Sequence, residues 1–192
     1  IGVIGNGGHF KKNIQNVLEK DFELHIYEYD KCIKENERKI KLFLENDFEF
    51  VYISTPLKYH YYYALESLKN SNNVIIEKPG VNNIDELKEL YKIAKEKKLF
   101  VKIVDMHTKH PIYNDVKKEL KNKPYRVELN FCVPKQDNIY LYNETEFGGA
   151  VFETGYYPLS VIDDVYGLEK INDLKIYNNK NNNVIIRNTS MF

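Results

Sequence analysis

The opening stretch Ile1-Gly2-Val3-Ile4-Gly5-Asn6-Gly7-Gly8-His9-Phe10 sets a glycine cluster directly after a short apolar run. Glycine lets a backbone turn sharply and approach an anion with no Cβ in the way, and the free N–H groups and positive dipole end of a following helix face that anion. The chemistry on offer is the cradling of a phosphate. Gly5-x-Gly7 fills the first two places of the dinucleotide fingerprint G-x-G-x-x-G, and Gly8 adds a third glycine, but the fingerprint's last place holds Phe10. His9, inside the turn, is placed either to approach a pyrophosphate or to face solvent. A plain glycine turn between a core strand and a core helix would use the same residues. Asp30, with Glu28 as second choice, lies about 20 or more positions beyond the glycines at the end of a β-rich run, where a carboxylate accepts hydrogen bonds from ribose hydroxyls.

The elements that must position these residues follow from periodicity. Phe10, Ile14, Val17 and Leu18 recur at helical spacing, so the opening reads strand, tight turn, helix, with Phe10 on the packing stripe. Phe22 to Tyr29 is a second strand. Residues 31–46 carry Ile33, Ile40, Phe43 and Leu44 on one face of an amphipathic helix. Phe48 to Ile53 is a buried strand ending in Ser54-Thr55-Pro56, and a helix striped by Tyr61, Ala64, Leu65 and Leu68 follows at once. Asn73 to Ile76 is another strand, ending in Glu77-Lys78-Pro79. Ile84, Leu87, Tyr91 and Ala94 mark a helix, Phe100 to Val104 a strand, and Ile112, Val116 and Leu120 a further helix. Such alternation predicts a parallel sheet covered on both faces, with a ligand crevice at the carboxyl ends of its strands. From Tyr125 the pattern changes to an alternating strand through Val133, with later strands at Leu174–Tyr177 and Val184–Arg187 and an apolar helix ending near Gly167. The expected division is an α/β domain over 1–122 and an α+β domain over 123–192.

Composition narrows the partners. Lys+Arg and Asp+Glu both total 28, a formal net charge of zero, which argues against a nucleic acid or an anionic membrane as partner. Cys32 and Cys132 stand far apart without a metal-ligand pattern, so a reducing compartment with no disulfide framework and no metal site is expected. No run approaches a membrane span and no charged-then-apolar leader opens the chain, which sets the expectation of a cytoplasmic protein.

Four motifs in order resemble the glucose-fructose oxidoreductase and inositol dehydrogenase family, Gfo/Idh/MocA: the turn at Gly5 and Gly7, Thr55-Pro56-x-x-x-His60, Glu77-Lys78-Pro79, and Gly148-Gly149 followed by Glu153-x-Gly155-x-Tyr157. The resemblance implies a Rossmann doubly wound parallel sheet, then a domain with an open, mainly antiparallel sheet that is shortened here. It also implies a homodimer through that second sheet. The activity implied is hydride transfer between NAD or NADP and a small sugar-like substrate. Cofactor contacts are expected from Gly5, Gly7, Gly8, His9, Glu28, Asp30, Ser54, Thr55, Pro56, His60, Glu77 and Lys78. The acid at the end of the second strand favours NAD, because a carboxylate repels a 2′-phosphate.

Moving a hydride requires moving a proton, so an acid/base must stand beside the reactive ring. Lys78 can orient a substrate hydroxyl and favour the ionised form of a neighbouring phenol. By resemblance that phenol is Tyr157. Glu153 and Lys109 are the expected substrate contacts. Three positions depart from the family pattern. Phe10 replaces the third glycine of the fingerprint, Glu153 stands where aspartate is usual, and the span from Asp30 to Ser54 has room for one helix and one strand where the family fits an additional pair. A non-catalytic dinucleotide-binding sensor or regulator of the same fold is the alternative these departures keep open.

Overall fold

The computed structural model describes residues 1–29, 33–122, 129, 155–167, 174–178 and 184–188. By contacts the chain divides into two compact units, Ile1–Val104 and Asp105–Phe192. The division follows the last strand of the parallel sheet, so the helix marked by Val116 and Leu120 groups with the second unit.

In the first unit, β1 (Gly2–Ile4), β2 (His25–Tyr27), β3 (Val51–Ile53), β4 (Val74–Ile76) and β5 (Val101–Ile103) form a five-stranded sheet in the order β2-β1-β3-β4-β5. Every pairing is parallel, and Ile4, Ile53, Ile76 and Ile103 stand in one row across it. The strands read as apolar runs because both faces are covered. One face packs Ile4, Ile53 and Ile76 against Ile40 and Leu44 of α2 (Ile33–Leu44), Tyr63 and Leu68 of α3 (His60–Lys69) and Leu90 and Ala94 of α4 (Ile84–Lys97). The other face carries Val3 and Tyr52, which cluster with Phe10.

Local chemistry fixes the helix ends. Asn83 caps α4 by accepting from the N–H groups of Asp85 (3.1 Å) and Glu86 (2.9 Å), and the acids in that first turn suit the positive dipole end. The first helix begins differently. Phe10–Ile14 is wound as a π-helical turn that runs into a short α1 (Gln15–Leu18). π-turns mark places where a helix carries a locally displaced residue. Phe10 is fully buried there, its ring centroid 6.0 Å from that of Tyr52, so the place of the third fingerprint glycine is filled by packing. The chain then runs from β2 through α2 directly to β3 beside β1, which leaves β2 at the sheet edge with Ile26 38% exposed.

The second unit contains α5 (Tyr113–Lys121), α6 (Tyr156–Tyr166) and an antiparallel ribbon of β6 (Leu174–Asn178) and β7 (Val184–Asn188), with Ile176 opposite Ile186. The apolar positions that mark α5 in the sequence are not those it buries: Ile112 and Val116 are exposed, whereas Tyr113 is buried. A polar pairing sets this rotation. Asp164 of α6 accepts from the Tyr113 hydroxyl at 2.8 Å and from Lys117 Nζ at 2.6 Å. Among the described residues no helix is long and apolar enough to cross a membrane. The strand expected over 125–133, and Cys32 and Cys132, lie outside the described residues.

Removing the Phe10 ring leaves a cavity between helix and sheet. Phe10→Ala is expected to cost about 3–5 kcal/mol in urea unfolding. Phe10→Gly, which completes the fingerprint, is expected to cost more, since glycine in a helix adds about 1 kcal/mol over alanine. A stability gain in Phe10→Gly would contradict the packing role.

Candidate functional site

The strand order makes β1 the turning point of the sheet, with β2 on one side and β3 on the other, and ligands of such sheets bind outside the carboxyl ends at that point. Three loops leave the sheet there side by side. Gly5 N–H donates to Tyr27 O (2.9 Å), Ser54 N–H to Ile4 O (2.8 Å) and Glu77 N–H to Ile53 O (3.0 Å), carrying the parallel ladder one step beyond the strands.

The glycines of the first loop serve different purposes. Gly5 is buried with φ +100°, and a Cβ built on it would lie 2.7 Å from the Ser54 carbonyl carbon and nearer still to its oxygen. Only glycine fits that crossing. Gly7 and Gly8 are exposed, and a Cβ on either would meet nothing within 4 Å. Nothing in the fold requires glycine at these two positions, and the open space before them suits an approaching pyrophosphate. Beside them Asn6 Nδ2 donates to the exposed Glu28 carboxylate at 3.3 Å, while Asn6 Oδ1 is buried without a protein partner. A turn with open backbone on one side and a solvent-facing carboxylate at the end of β2 fits the pyrophosphate and the adenosine ribose of an adenine dinucleotide.

Glu77 is the buried charge of the site, 7% exposed. The Tyr52 hydroxyl donates to its Oε1, Lys78 N–H approaches its Oε2 at 3.3 Å, and His9 Nε2 lies 3.4 Å from Oε1. Burial pushes the carboxyl pKa up, but the hydrogen bonds from His9 and Tyr52, the His9 charge and the Lys78 N–H more than offset this and hold it below the usual value. The same contact, after burial itself, raises the Tyr52 phenol well above its ordinary pKa.

His60 is buried and ties two loops. Its Nδ1 lies 2.6 Å from Gly80 O and its Nε2 2.8 Å from Thr55 O. A ring nitrogen must carry hydrogen to bond a carbonyl, so satisfying both acceptors requires the imidazolium. The second loop is closed by Gly80 N–H donating to Glu77 O (3.0 Å), with a cis Lys78–Pro79 bond and Gly80 at φ +100° packed against Ile103. Lys78, Ser54, Thr55 and Pro56 are half-buried along these loops. In the first unit, then, Gly5, His9, Ser54, Thr55, His60, Glu77 and Lys78 come together at the carboxyl ends of β1, β3 and β4.

The model of the Gfo/Idh/MocA oxidoreductase family, described as having an NAD-binding Rossmann fold, matches residues 35–104. Residues 35–104 are similar to the NAD-binding Rossmann domain of this family. The matched segment contains Thr55-Pro56-x-x-x-His60 and Glu77-Lys78-Pro79, the loops described above. Among solved structures, a 3-ketoreductase from Actinomadura kijaniata, crystallised with NADP and TDP-benzene, is 22% identical with a TM-score of 0.71 over 92% of this chain and 58% of its own. The yvaA protein of Bacillus subtilis is 16% identical with a TM-score of 0.68 over 96% of this chain and 57% of its own. At these identities the likeness is one of fold, and the chain spans less than two thirds of either protein. No curated protein matches the chain in sequence.

In the second unit Tyr157 stands in the first turn of α6, half-buried, with its ring T-shaped against His107 at 4.3 Å between centroids. Lys109 is exposed two residues beyond His107. Asp30 and Glu153 lie outside the described residues. Two residues were not singled out by sequence reasoning. Tyr52 had a signal, since a tyrosine inside an apolar strand needs a partner for its hydroxyl. His107 had none, because its partner is distant in sequence.

The two kinds of glycine separate experimentally. Gly5→Ala is expected to destabilise by at least about 2 kcal/mol, from the positive φ and the Ser54 clash together. Gly7→Ala is expected to stay within about 0.5 kcal/mol of wild type and to weaken dinucleotide binding. Denaturant unfolding checks the first pair of values and calorimetry the second. Equal stability loss in both variants would erase the distinction.

Proposed function

We propose that the chain is an NAD(P)-dependent oxidoreductase acting on the CH–OH group, or corresponding ketone, of a sugar, nucleotide-sugar or related polyol. The observation that carries this reading is the meeting of the open Gly7-Gly8 turn, Thr55-Pro56 and Glu77-Lys78 at the sheet's turning point. The pyrophosphate is held at Gly7 and Gly8, the ribose by Glu28 with Asp30 near it in sequence, and the nicotinamide end by Thr55, Pro56 and Lys78. When bound, the nicotinamide supplies or accepts the hydride.

The remaining work belongs to the chain. The Tyr157 hydroxyl exchanges the proton with the substrate oxygen, and the Lys78 ammonium orients that oxygen and favours the phenolate during the exchange. Glu153 and Lys109 are the proposed substrate contacts. The exposed Glu28 carboxylate, partnered by Asn6, favours NAD over a cofactor with a 2′-phosphate. A nucleotide-sugar substrate gains support from the fold-related 3-ketoreductase solved with TDP-benzene. Assembly as a cytoplasmic homodimer through the second-domain sheet is part of the same proposal.

Calorimetric titration of the chain with NADH and with NADPH tests the cofactor site. Binding of NADH more tightly than NADPH is the expected result, and no binding of either by folded protein refutes the reading. A turnover screen with sugars and nucleotide-sugars then addresses the chemistry. Tyr157→Phe is expected to lower turnover by about 10²–10⁴-fold while leaving the NADH Kd unchanged. Undiminished turnover would sink the acid/base role, and binding without turnover in the wild type would favour a non-catalytic sensor.

A further inference from the structure

In the second unit, the segment before α5 carries an exposed histidine, His107, on a pinned backbone. The Thr108 hydroxyl donates to the Asp105 carboxylate at 2.5 Å and the Thr108 N–H at 3.4 Å, while the His110 N–H donates to His107 O at 3.2 Å. A turn closed around His107 in this way fixes where its side chain leaves the chain. The same segment is tied to α5, since Tyr113 N–H donates to His110 O at 2.9 Å. Through Tyr113 and Lys117, α5 is tied in turn to Asp164 of α6, the helix whose first turn holds Tyr157. This circuit of hydrogen bonds ends with two rings in contact. The centroids of His107 and Tyr157 lie 4.3 Å apart with their planes at 77°, and Tyr156 adds a second edge-on contact to Tyr157 at 6.0 Å.

We propose that His107 is a positioning residue for the reaction, holding the Tyr157 ring in the one orientation that presents its hydroxyl to the substrate oxygen. The inference rests on the acid/base reading of Tyr157 given above. Proton exchange needs the phenolic oxygen within hydrogen-bond reach of the reacting atom, and small misplacements of such a group are costly to rate. Tyr157 is only half-buried at the start of its helix, so burial alone leaves its side-chain torsions weakly fixed. The hydroxyl is the atom farthest from the backbone and moves most when those torsions change. An aromatic ring set edge-on against it favours one arrangement over the others by about threefold to tenfold, because the edge of one ring meets the oppositely charged face of the other. His107 touches the ring and not the reacting atoms, and it therefore acts through Tyr157. What the role requires of residue 107 is a flat aromatic ring, so phenylalanine serves it and no protonation state enters.

The test uses the whole 192-residue chain and the turnover assay described above. His107→Ala, at an exposed position, is expected to lower kcat by about threefold to tenfold with the substrate KM and the NADH Kd unchanged. His107→Phe is expected to recover kcat to within about twofold of wild type. In the Tyr157→Phe background, where the proton is already missing, His107→Ala is expected to cost nothing further. Wild-type kcat in His107→Ala, failure of His107→Phe to recover it, or an equal loss in both backgrounds overturns the proposal. The ring contact is also read without turnover, by proton NMR of the chain's five histidines at constant pH. The C–H resonances lost in His107→Ala are those of His107, and they are expected to shift in Tyr157→Leu while the remaining histidine resonances stay in place. His107 resonances that do not move likewise overturn the proposal. Undiminished turnover in Tyr157→Phe refutes instead the acid/base reading on which it stands.

Discussion

A buried carboxylate has to find its hydrogen-bond partners where it lies, and Glu77 finds them on three separate pieces of chain. Tyr52 reaches it from the middle of β3, Lys78 N–H from the loop after β4, and His9 from the glycine turn. Losing a donor to such a charge costs far more than the bond adds, because the carboxylate cannot return to water. The requirement therefore fixes register as well as charge. A one-residue slip of β3 would carry Tyr52 to the opposite face of the sheet and leave Glu77 short of its phenolic donor. That face has the smaller apolar cluster of the unit, built on Val3, Phe10, Phe50 and Tyr52. Polar satisfaction supplies there some of the specificity that three packed helices supply on the other side.

The Phe10 substitution takes its meaning from the same network. In the dinucleotide fingerprint the third glycine lets the helix approach the sheet closely. Here the helix begins with a π-helical turn, and the Phe10 ring lies against the Tyr52 ring that holds Glu77. Departure from the motif and a buried tyrosine–carboxylate pair thus occur together as one packed assembly. The three glycines before it divide likewise: Gly5 answers to the Ser54 carbonyl of the neighbouring loop, while Gly7 and Gly8 answer to nothing in the protein. One short motif therefore mixes a constraint of the fold with a constraint of the ligand.

Legibility follows that division. The alternation of apolar strands and striped helices was enough to place β1 to β5 and their loops in order, since each is a local pattern with its own period. The shortened edge was legible too, because residues between Asp30 and Ser54 are too few for another strand and helix. Contacts set by tertiary neighbours were not legible. Nothing local states that Tyr52 would find Glu77, that His60 would span the carbonyls of Thr55 and Gly80, or that Tyr157 would meet His107 edge-on. The rotation of α5 escaped for a related reason. Its stripe of Ile112, Val116 and Leu120 is a fair helical signal, yet Tyr113 and Lys117 turn inward because Asp164 on another helix accepts from both.

The two histidines of the first unit show how little residue type decides by itself. His60 is buried with a carbonyl on each ring nitrogen, so its hydrogens are committed to holding the Thr55-Pro56 loop against the Lys78-Pro79-Gly80 loop. His9, by contrast, is about half exposed, with the Glu77 carboxylate 3.4 Å from one ring nitrogen and the Asn13 amide 3.2 Å from the other. A ring between two backbone acceptors can only position. One beside a buried carboxylate at the surface shares the load of that charge with Tyr52 and the Lys78 N–H. The same residue type thus holds backbone to backbone at one place and supports a buried charge at the other, and only its tertiary neighbours decide which.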